Sequence, residues 1–81
     1  MSPKAATPNQ SAAAHHPVRI ARTAHGFTQE TLANAVGITR QTVISIESGD
    51  YAPSVVLAIR IARCVQTTVE DLWGPAADAV S

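Results

Sequence analysis

Two short apolar stripes at helical spacing, Leu32–Ala33–Val36 and Val43–Ile46, are separated by a single glycine, Gly37. Few folds satisfy that arrangement. Each stripe marks one face of a short helix, and the glycine stands where the first helix must stop. A helix that stops sharply passes through a left-handed residue, which glycine adopts without strain. Thr39 then supplies a side-chain oxygen to cap the second helix. The small Ala33 lets two helices cross steeply over a short turn, where a bulkier side chain would hold them apart. The stretch from Gln29 to Glu47 therefore predicts a helix, a tight turn and a second helix.

The register Ala33, Gly37, Ile38, Val43, Ile46 resembles the helix-turn-helix of the lambda-repressor/Cro-like (XRE) family of DNA-binding regulators. The flanks extend the resemblance. Arg22 to Gln29 is similar to the family's R-x-x-x-G-x-T-Q entry, and Ile46 to Ser54 is similar to its I-E-x-G-x-x-x-P-S exit. The resemblance covers residues 17–73 and implies a compact all-α, five-helix lambda-repressor-like domain, with helices 2 and 3 as the helix-turn-helix. It also implies an ion pair between Arg22 and Glu47 that locks helix 1 to helix 3. Asp50 departs from the pattern, since family members commonly carry a lysine there.

An 81-residue chain makes one domain. With one Phe, one Tyr and one Trp among 46% hydrophobic residues, its core must come from Val, Ile, Leu and Ala. No apolar run is long enough to span a bilayer, and no apolar secretory segment follows Lys4. The expected setting is the cytoplasm, in association with the nucleoid. One cysteine, Cys64, allows no internal disulfide, and its apolar neighbours make it a small buried hydrophobe rather than a redox sensor. The formal net charge is zero, whereas proteins that grip phosphates usually carry surplus Lys and Arg. A dipolar distribution still presents a basic face: Arg19, Arg22 and Arg40 fall in the first half, Glu70, Asp71 and Asp78 at the far end.

Along the chain, residues 1–16 lack apolar periodicity and read as a disordered tail, with His15 and His16 as solvated tail residues rather than metal ligands. The domain then spans 17–73. Its first helix starts at Pro17 and ends near His25, with Val18, Ala21 and Ala24 inward; Gly26 stops it and Phe27 fills the corner. Thr28 caps the second helix. The third runs from Arg40 to Ser48 and is closed by Gly49. Ser54 caps a fourth from Val55 to about Val65, and Thr68 caps a short fifth that Gly74–Pro75 stops. Residues 74–81 read as a frayed tail.

The third helix spends Val43 and Ile46 on the core, so Arg40, Gln41, Ile44 and Ser45 are expected to project outward. Their types suit base edges: Arg pairs with guanine O6 and N7, Gln with adenine N6 and N7, Ile packs on a thymine methyl, and Ser accepts either base. Family members reach the major groove from these positions. The positive end of helix 2 suits a phosphate. Gln29, Thr39, Thr42, Ser48 and Tyr51 are the candidate contacts to the DNA backbone, although packing on its own loop is the favoured role of Tyr51. Surplus apolar residues Ile20, Ile59, Val69 and Trp73 predict a self-association face.

The expected function is sequence-specific binding of double-stranded DNA at a pseudo-palindromic operator, as a homodimeric transcriptional regulator, with repression as the outcome the family resemblance suggests. The competing reading is a protein-interaction module that keeps the fold and has lost DNA, motivated by zero net charge and Asp50. An enzyme is not expected, because no nucleophile sits beside a base and no phosphate-cradling glycine loop or metal spacing is present. No cofactor, metal, membrane or small-molecule ligand is expected.

Overall fold

The computed structural model describes residues 15–80; the predicted tail over residues 1–14 and Ser81 lie outside the described residues. Five helices follow one another: α1 Pro17–Ala24, α2 Gln29–Val36, α3 Arg40–Glu47, α4 Val55–Cys64 and α5 Val69–Val80. Among the described residues there is no strand. Thr28, Thr39 and Ser54 each accept a bond from the backbone N–H three residues on, and so cap α2, α3 and α4. The Asp71 N–H does the same with the Thr68 hydroxyl at 3.0 Å. Each cap satisfies a helix-end donor that would otherwise have no partner.

Gly37 adopts φ +80 at the end of α2, and the N–H groups of Gly37 and Ile38 both donate to the Ala33 carbonyl at 2.9 Å. This double closure turns the chain within two residues and delivers Thr39 to the start of α3. Ala33 is 1% exposed; α2 and α3 pack closely on each other, and α4 packs behind α2. The core is Val18, Leu32, Ala33, Val36, Val43, Ile46, Ala58, Ile61, Ala62, Val65 and Leu72, with Phe27, Ile38, Leu57 and Trp73 packed around it. It contains no fully buried aromatic ring.

Several expectations are corrected. His16 is not a solvated tail residue. Its Nδ1 accepts the Val18 N–H at 3.1 Å, so it is the N-cap of α1, and it is half-buried. The sequence offered no Ser, Thr, Asp or Asn before Pro17, and an imidazole nitrogen takes the role. Helix α5 does not stop at Gly74–Pro75 but runs to Val80. A proline disfavours helix in its predecessor through clashes with that residue's N–H and Cβ, and Gly74 lacks the second of these; the alanines that follow favour helix. The tail expected over 74–81 is thus helical as far as it is described. Cys64 is only half-buried, and burial pushes its thiol up, away from the reactive thiolate. The turn from α4 to α5 holds a left-handed residue that is not glycine, Gln66 at φ +58. Neither glycine nor asparagine marks it in the sequence. The Thr67 N–H closes that turn on the Ala62 carbonyl at 2.9 Å.

The histidine cap makes a prediction. Loss of solvent holds the His16 imidazole below its ordinary 6.5, and the Glu47 carboxylate opposes that shift less strongly. The unfolded chain therefore binds more protons between the two values. The stability is present above pH 6.5 and is lost as pH falls through the lower folded value. Protonation removes the acceptor that holds the Val18 N–H, at a cost of about 1 kcal/mol, the usual worth of an N-cap. Urea midpoints at pH 7 and pH 5 are expected to separate in the natural chain and to converge in His16→Asn, a cap that does not titrate. Equal pH dependence in both proteins would show that His16 is not the sensitive group.

Candidate nucleic-acid interface

A buried polar network fixes the helix-turn-helix against α1. The Arg22 Nε donates to Glu47 Oε2 at 2.5 Å, and the Arg22 Nη2 donates to Glu47 Oε1 at 3.1 Å. The remaining Nη1 donates to the Phe27 carbonyl at 3.1 Å. Arg22 is 5% exposed and Glu47 1%, and no buried side-chain nitrogen or oxygen among the described residues lacks a partner. Planar, two-point pairing of this kind is specific to arginine. Its ends join the last turn of α1 to the last residue of α3, while the Phe27 carbonyl ties in the corner before α2.

Gln29 belongs to the same network. Its side-chain amide donates to Glu47 Oε1 at 3.2 Å, so the residue expected to touch the DNA backbone is also tied to α3. An amide NH2 carries a second donor and its carbonyl is an acceptor, so the bond leaves Gln29 capable of a further contact. Thr28 at the start of α2 is locked in turn. Its hydroxyl accepts the Thr31 N–H at 3.0 Å, and the Thr31 hydroxyl accepts the Thr28 N–H at 2.8 Å. This reciprocal box holds the first turn of α2, where backbone donors are unpaired.

On α3, Val43, Ile46 and Glu47 are buried. With about 100° per residue, the direction opposite their centre is occupied by Gln41, Ser45 and Ser48. Arg40 and Ile44 lie on one flank and Thr42 on the other. Arg40 and Gln41 are exposed, whereas Ile44 and Ser45 are half-buried rather than fully projecting. Thr39, Gln41, Thr42, Ser45 and Tyr51 surround a shallow groove of about 300 Å³. Candidates from α3 and from the loop after it are thereby brought together, with Arg40 and Ile44 beside the groove rather than in it. Tyr51 is 46% exposed, so its ring stays out of the core and faces the groove. The Thr39 and Thr42 hydroxyls lie 2.9 Å apart, and the Thr39 oxygen also accepts the Thr42 N–H.

Ser48 is more committed than expected. Its hydroxyl donates to the Ser45 carbonyl at 3.0 Å and lies 3.1 Å from Asp50 Oδ2. An exposed carboxylate thus lies beside the end of α3. Arg22, which falls with Arg19 and Arg40 in the first half of the sequence, is buried and neutralised by Glu47, as the family resemblance implies, and adds nothing to a basic surface. Arg19 and Arg40 remain exposed. The outward line of α3 is therefore neutral hydrogen-bonding groups beside a single guanidinium.

The self-association residues do not share a face. Ile20 lines a groove with Ala21, Val65, Asp71 and Leu72, whereas Val69 and Trp73 line another with Pro53, Val55 and Ala58. Asp71 and Leu72 lie on one flank of α5 and Val69 and Trp73 on the other, so the helix separates Ile20 from them. No group of three or more His, Cys, Asp or Glu among the described residues is arranged to hold a metal ion. None of the described helices is long and apolar enough to cross a membrane.

A helix-turn-helix family model matches residues 18–72. Among curated proteins, the chain is 45% identical over 56 residues to YgzD of Bacillus subtilis, an uncharacterized HTH-type transcriptional regulator, covering 69% of this chain and 85% of the relative. It is 53% identical over 49 residues to an uncharacterized HTH-type transcriptional regulator of Methanothermobacter thermautotrophicus, covering 59% of this chain and 71% of the relative. It is 46% identical over 52 residues to MJ0272 of Methanocaldococcus jannaschii, described in the same words, covering 64% and 79%. No solved structure matches significantly.

Proposed function

The chain belongs to the XRE-type helix-turn-helix family, and from that premise we propose that it is a DNA-binding transcriptional regulator that reads double-stranded DNA with α3. The observation that carries this reading is the outward line of α3. Gln41 and Ser45 open onto one groove with Thr39, Thr42 and Tyr51, Arg40 is exposed beside them, and Glu47 braces the helix from behind. In the proposed complex α3 enters the major groove. Arg40 and Gln41 make two-point contacts to purines, Ile44 packs on a thymine methyl, and Ser45 meets a neighbouring base. Thr39, Thr42, Tyr51 and the start of α2 at Gln29 meet phosphates, with Ser48 at the edge. The domain responsible is the 17–73 unit, acting in the cytoplasm on the nucleoid.

The proposed active form is a homodimer. A two-fold axis sets two copies of α3 about 34–36 Å apart on a pseudo-palindromic site, and occupancy of that site blocks polymerase and represses. Selection of bound duplexes from a random pool at moderate salt tests the reading. It is expected to return a site with two related half-sites one helical turn apart; an unenriched pool would remove sequence-specific recognition.

Arg40→Ala and Gln41→Ala are expected to relax preference at particular base pairs, each by about 1–3 kcal/mol of discrimination. Gln29→Ala is expected to weaken all duplexes about equally. Binding assays on the selected site and on single-base variants distinguish the two patterns. If the α3 changes leave both affinity and preference intact, α3 is not the reader.

One pair of observations favours a protein-interaction module instead. Asp50 bonds Ser48 at the end of α3, and Arg22 contributes no surface charge. Salt separates the readings, because release of counterions makes DNA affinity fall steeply with salt. A DNA affinity too weak to measure even at low salt, with a salt-insensitive protein complex, would favour the module.

A further inference from the structure

The groove between α1 and the turn that joins α4 to α5 has no part in the proposed DNA face. It measures about 350 Å³ and is open to solvent along one side. Ile20, Ala21, Val65 and Leu72 give it an apolar floor, and Gln66, Thr67 and Asp71 stand at its rim. Ile20 is 55% exposed, so a bulky apolar group reaches solvent there. No residue of α3 lines this groove. At about 100° per residue, Arg22, which is tied to Glu47 on α3, faces the other side of α1. The groove and the reading helix therefore occupy different sides of the molecule.

We propose that this groove binds a segment of a partner protein in which a bulky apolar side chain lies next to a lysine or arginine. Charge selects that partner. No Lys or Arg lines the groove, Arg63 in the last turn of α4 included. Arg19, an exposed cation on α1, points to the opposite side of that helix. Asp71 is exposed; its carboxylate accepts the Thr67 hydroxyl at 3.0 Å and makes no ion pair among the described residues. Two helix ends add to its field. His25 caps the C-terminal end of α1 and Val65 that of α4, and the carbonyl end of a helix carries partial negative charge. A phosphate backbone or an anionic lipid surface would meet like charge here. So would a second copy turned about a two-fold axis through the groove, which would set Asp71 against Asp71. A cation beside an apolar anchor meets opposite charge at the rim and apolar surface at the floor.

Gln66 supplies a further contact. It holds the left-handed turn at φ +58, where glycine would sit without strain. Main-chain bonds close that turn. The Gln66 N–H donates to the Arg63 carbonyl at 3.3 Å, and the Thr67 N–H to the Ala62 carbonyl at 2.9 Å. The Gln66 side chain is exposed and takes no part in holding it. A primary amide offers two donors and a carbonyl acceptor, which suits the main chain of a segment lying along the rim. The apolar side chain then packs on Ile20, and the cation meets Asp71. A protein docked here leaves α3 free, so a regulator without an effector domain can respond to a partner while on DNA. That role rests on the DNA-binding reading; the docking does not, and it is tested without DNA.

Short random peptides displayed on phage and selected on the full chain provide the test. Selected peptides are expected to share a bulky apolar residue beside Lys or Arg. A synthetic peptide of that pattern, titrated by fluorescence anisotropy, is expected to bind Ile20→Asp about tenfold or more weakly, because a charge then enters the apolar contact. Gln66→Gly eases the turn, so it is expected to keep the urea midpoint and to lose about threefold in peptide affinity. Selection on Asp71→Lys is expected to return acidic neighbours in place of basic ones. All three positions are exposed, and unchanged helical circular dichroism confirms that the variants fold. An unenriched pool, or acidic peptides selected by the natural chain, overturns the proposal. So does a peptide indifferent to all three changes, or one lost instead in Gln41→Glu with Ser45→Glu, which would move it to the α3 face. Self-association of the natural chain that is abolished by Ile20→Asp would give the groove to a second copy and overturn it as well.

Discussion

Replacing Glu47 by alanine is expected to lower the free energy of unfolding by about 3–5 kcal/mol, the usual loss when one partner of a buried ion pair is removed. Arg22 is 5% exposed, and an arginine does not escape burial by giving up its proton. Its Nε and Nη2 would each lose an acceptor, leaving only the Phe27 carbonyl, and the Gln29 amide would lose the same partner. Against a total of about 5–15 kcal/mol for a typical domain, a chain of this size would be left marginal. The comparison that isolates the cause is Arg22→Met with Glu47→Leu, which removes both charges and refills the space with apolar atoms. That double change is expected to cost far less than Glu47→Ala alone. Urea denaturation followed by helical circular dichroism measures all three proteins. A Glu47→Ala loss below about 1 kcal/mol, the range of exposed pairs, would mean that water reaches Arg22 when its partner goes.

The second large effect concerns the proposed DNA face. Gln41→Glu combined with Ser45→Glu places two carboxylates on the outermost line of α3. Like charges brought together at an interface cost several kcal/mol, so affinity for the selected duplex is expected to fall on the order of 100-fold or more. Neither side chain belongs to the core, so the fold should persist. A control of equal charge, Ala24→Glu with Gln66→Glu, alters a groove to which α3 contributes nothing and is expected to cost far less. Binding titrations at fixed salt decide it. Equal losses in the two double variants would trace the effect to net charge and leave α3 without a special role.

How far the molecule could be read in advance depends on the range of the interaction concerned. Gly37 was legible because only the local backbone is involved: a helix end that must turn left-handed is marked by the residue that does so cheaply. The caps at Thr28, Thr39, Ser54 and Thr68 were legible for the same reason, since each hydroxyl meets an N–H three residues away. The contact between Arg22 and Glu47 was not legible from periodicity. Those residues are 25 apart in sequence, and only the resemblance to a family suggested that they meet.

Some features were missed although local, because the residue concerned does not usually mark the conformation it takes, and others because a neighbour in space decided them. His16 looked like a tail residue because histidine is an uncommon cap, and its Nδ1 nevertheless takes the Val18 N–H. Gly74–Pro75 looked like a stop, yet a glycine before proline removes the steric reason to stop. Gln66 carries a left-handed turn with no mark in the sequence, held by the bond from Thr67 to Ala62. How completely Arg22 is buried is a property of the packed helices. Ile20 and Val69 looked equivalent as surplus apolar residues until α5 came between them.

The amino-acid order by itself determined the five helices, the caps at Thr28, Thr39, Ser54 and Thr68, the crossing at Ala33 and the family, because these depend on spacing within about one or two turns of helix. Tertiary structure alone decided which charges survive at the surface, that Gln29 shares the Glu47 carboxylate, and which apolar residues share a face. Those depend on which helix lies across from which, and a carboxylate or a valine carries no record in its own segment of what the fold will place opposite it.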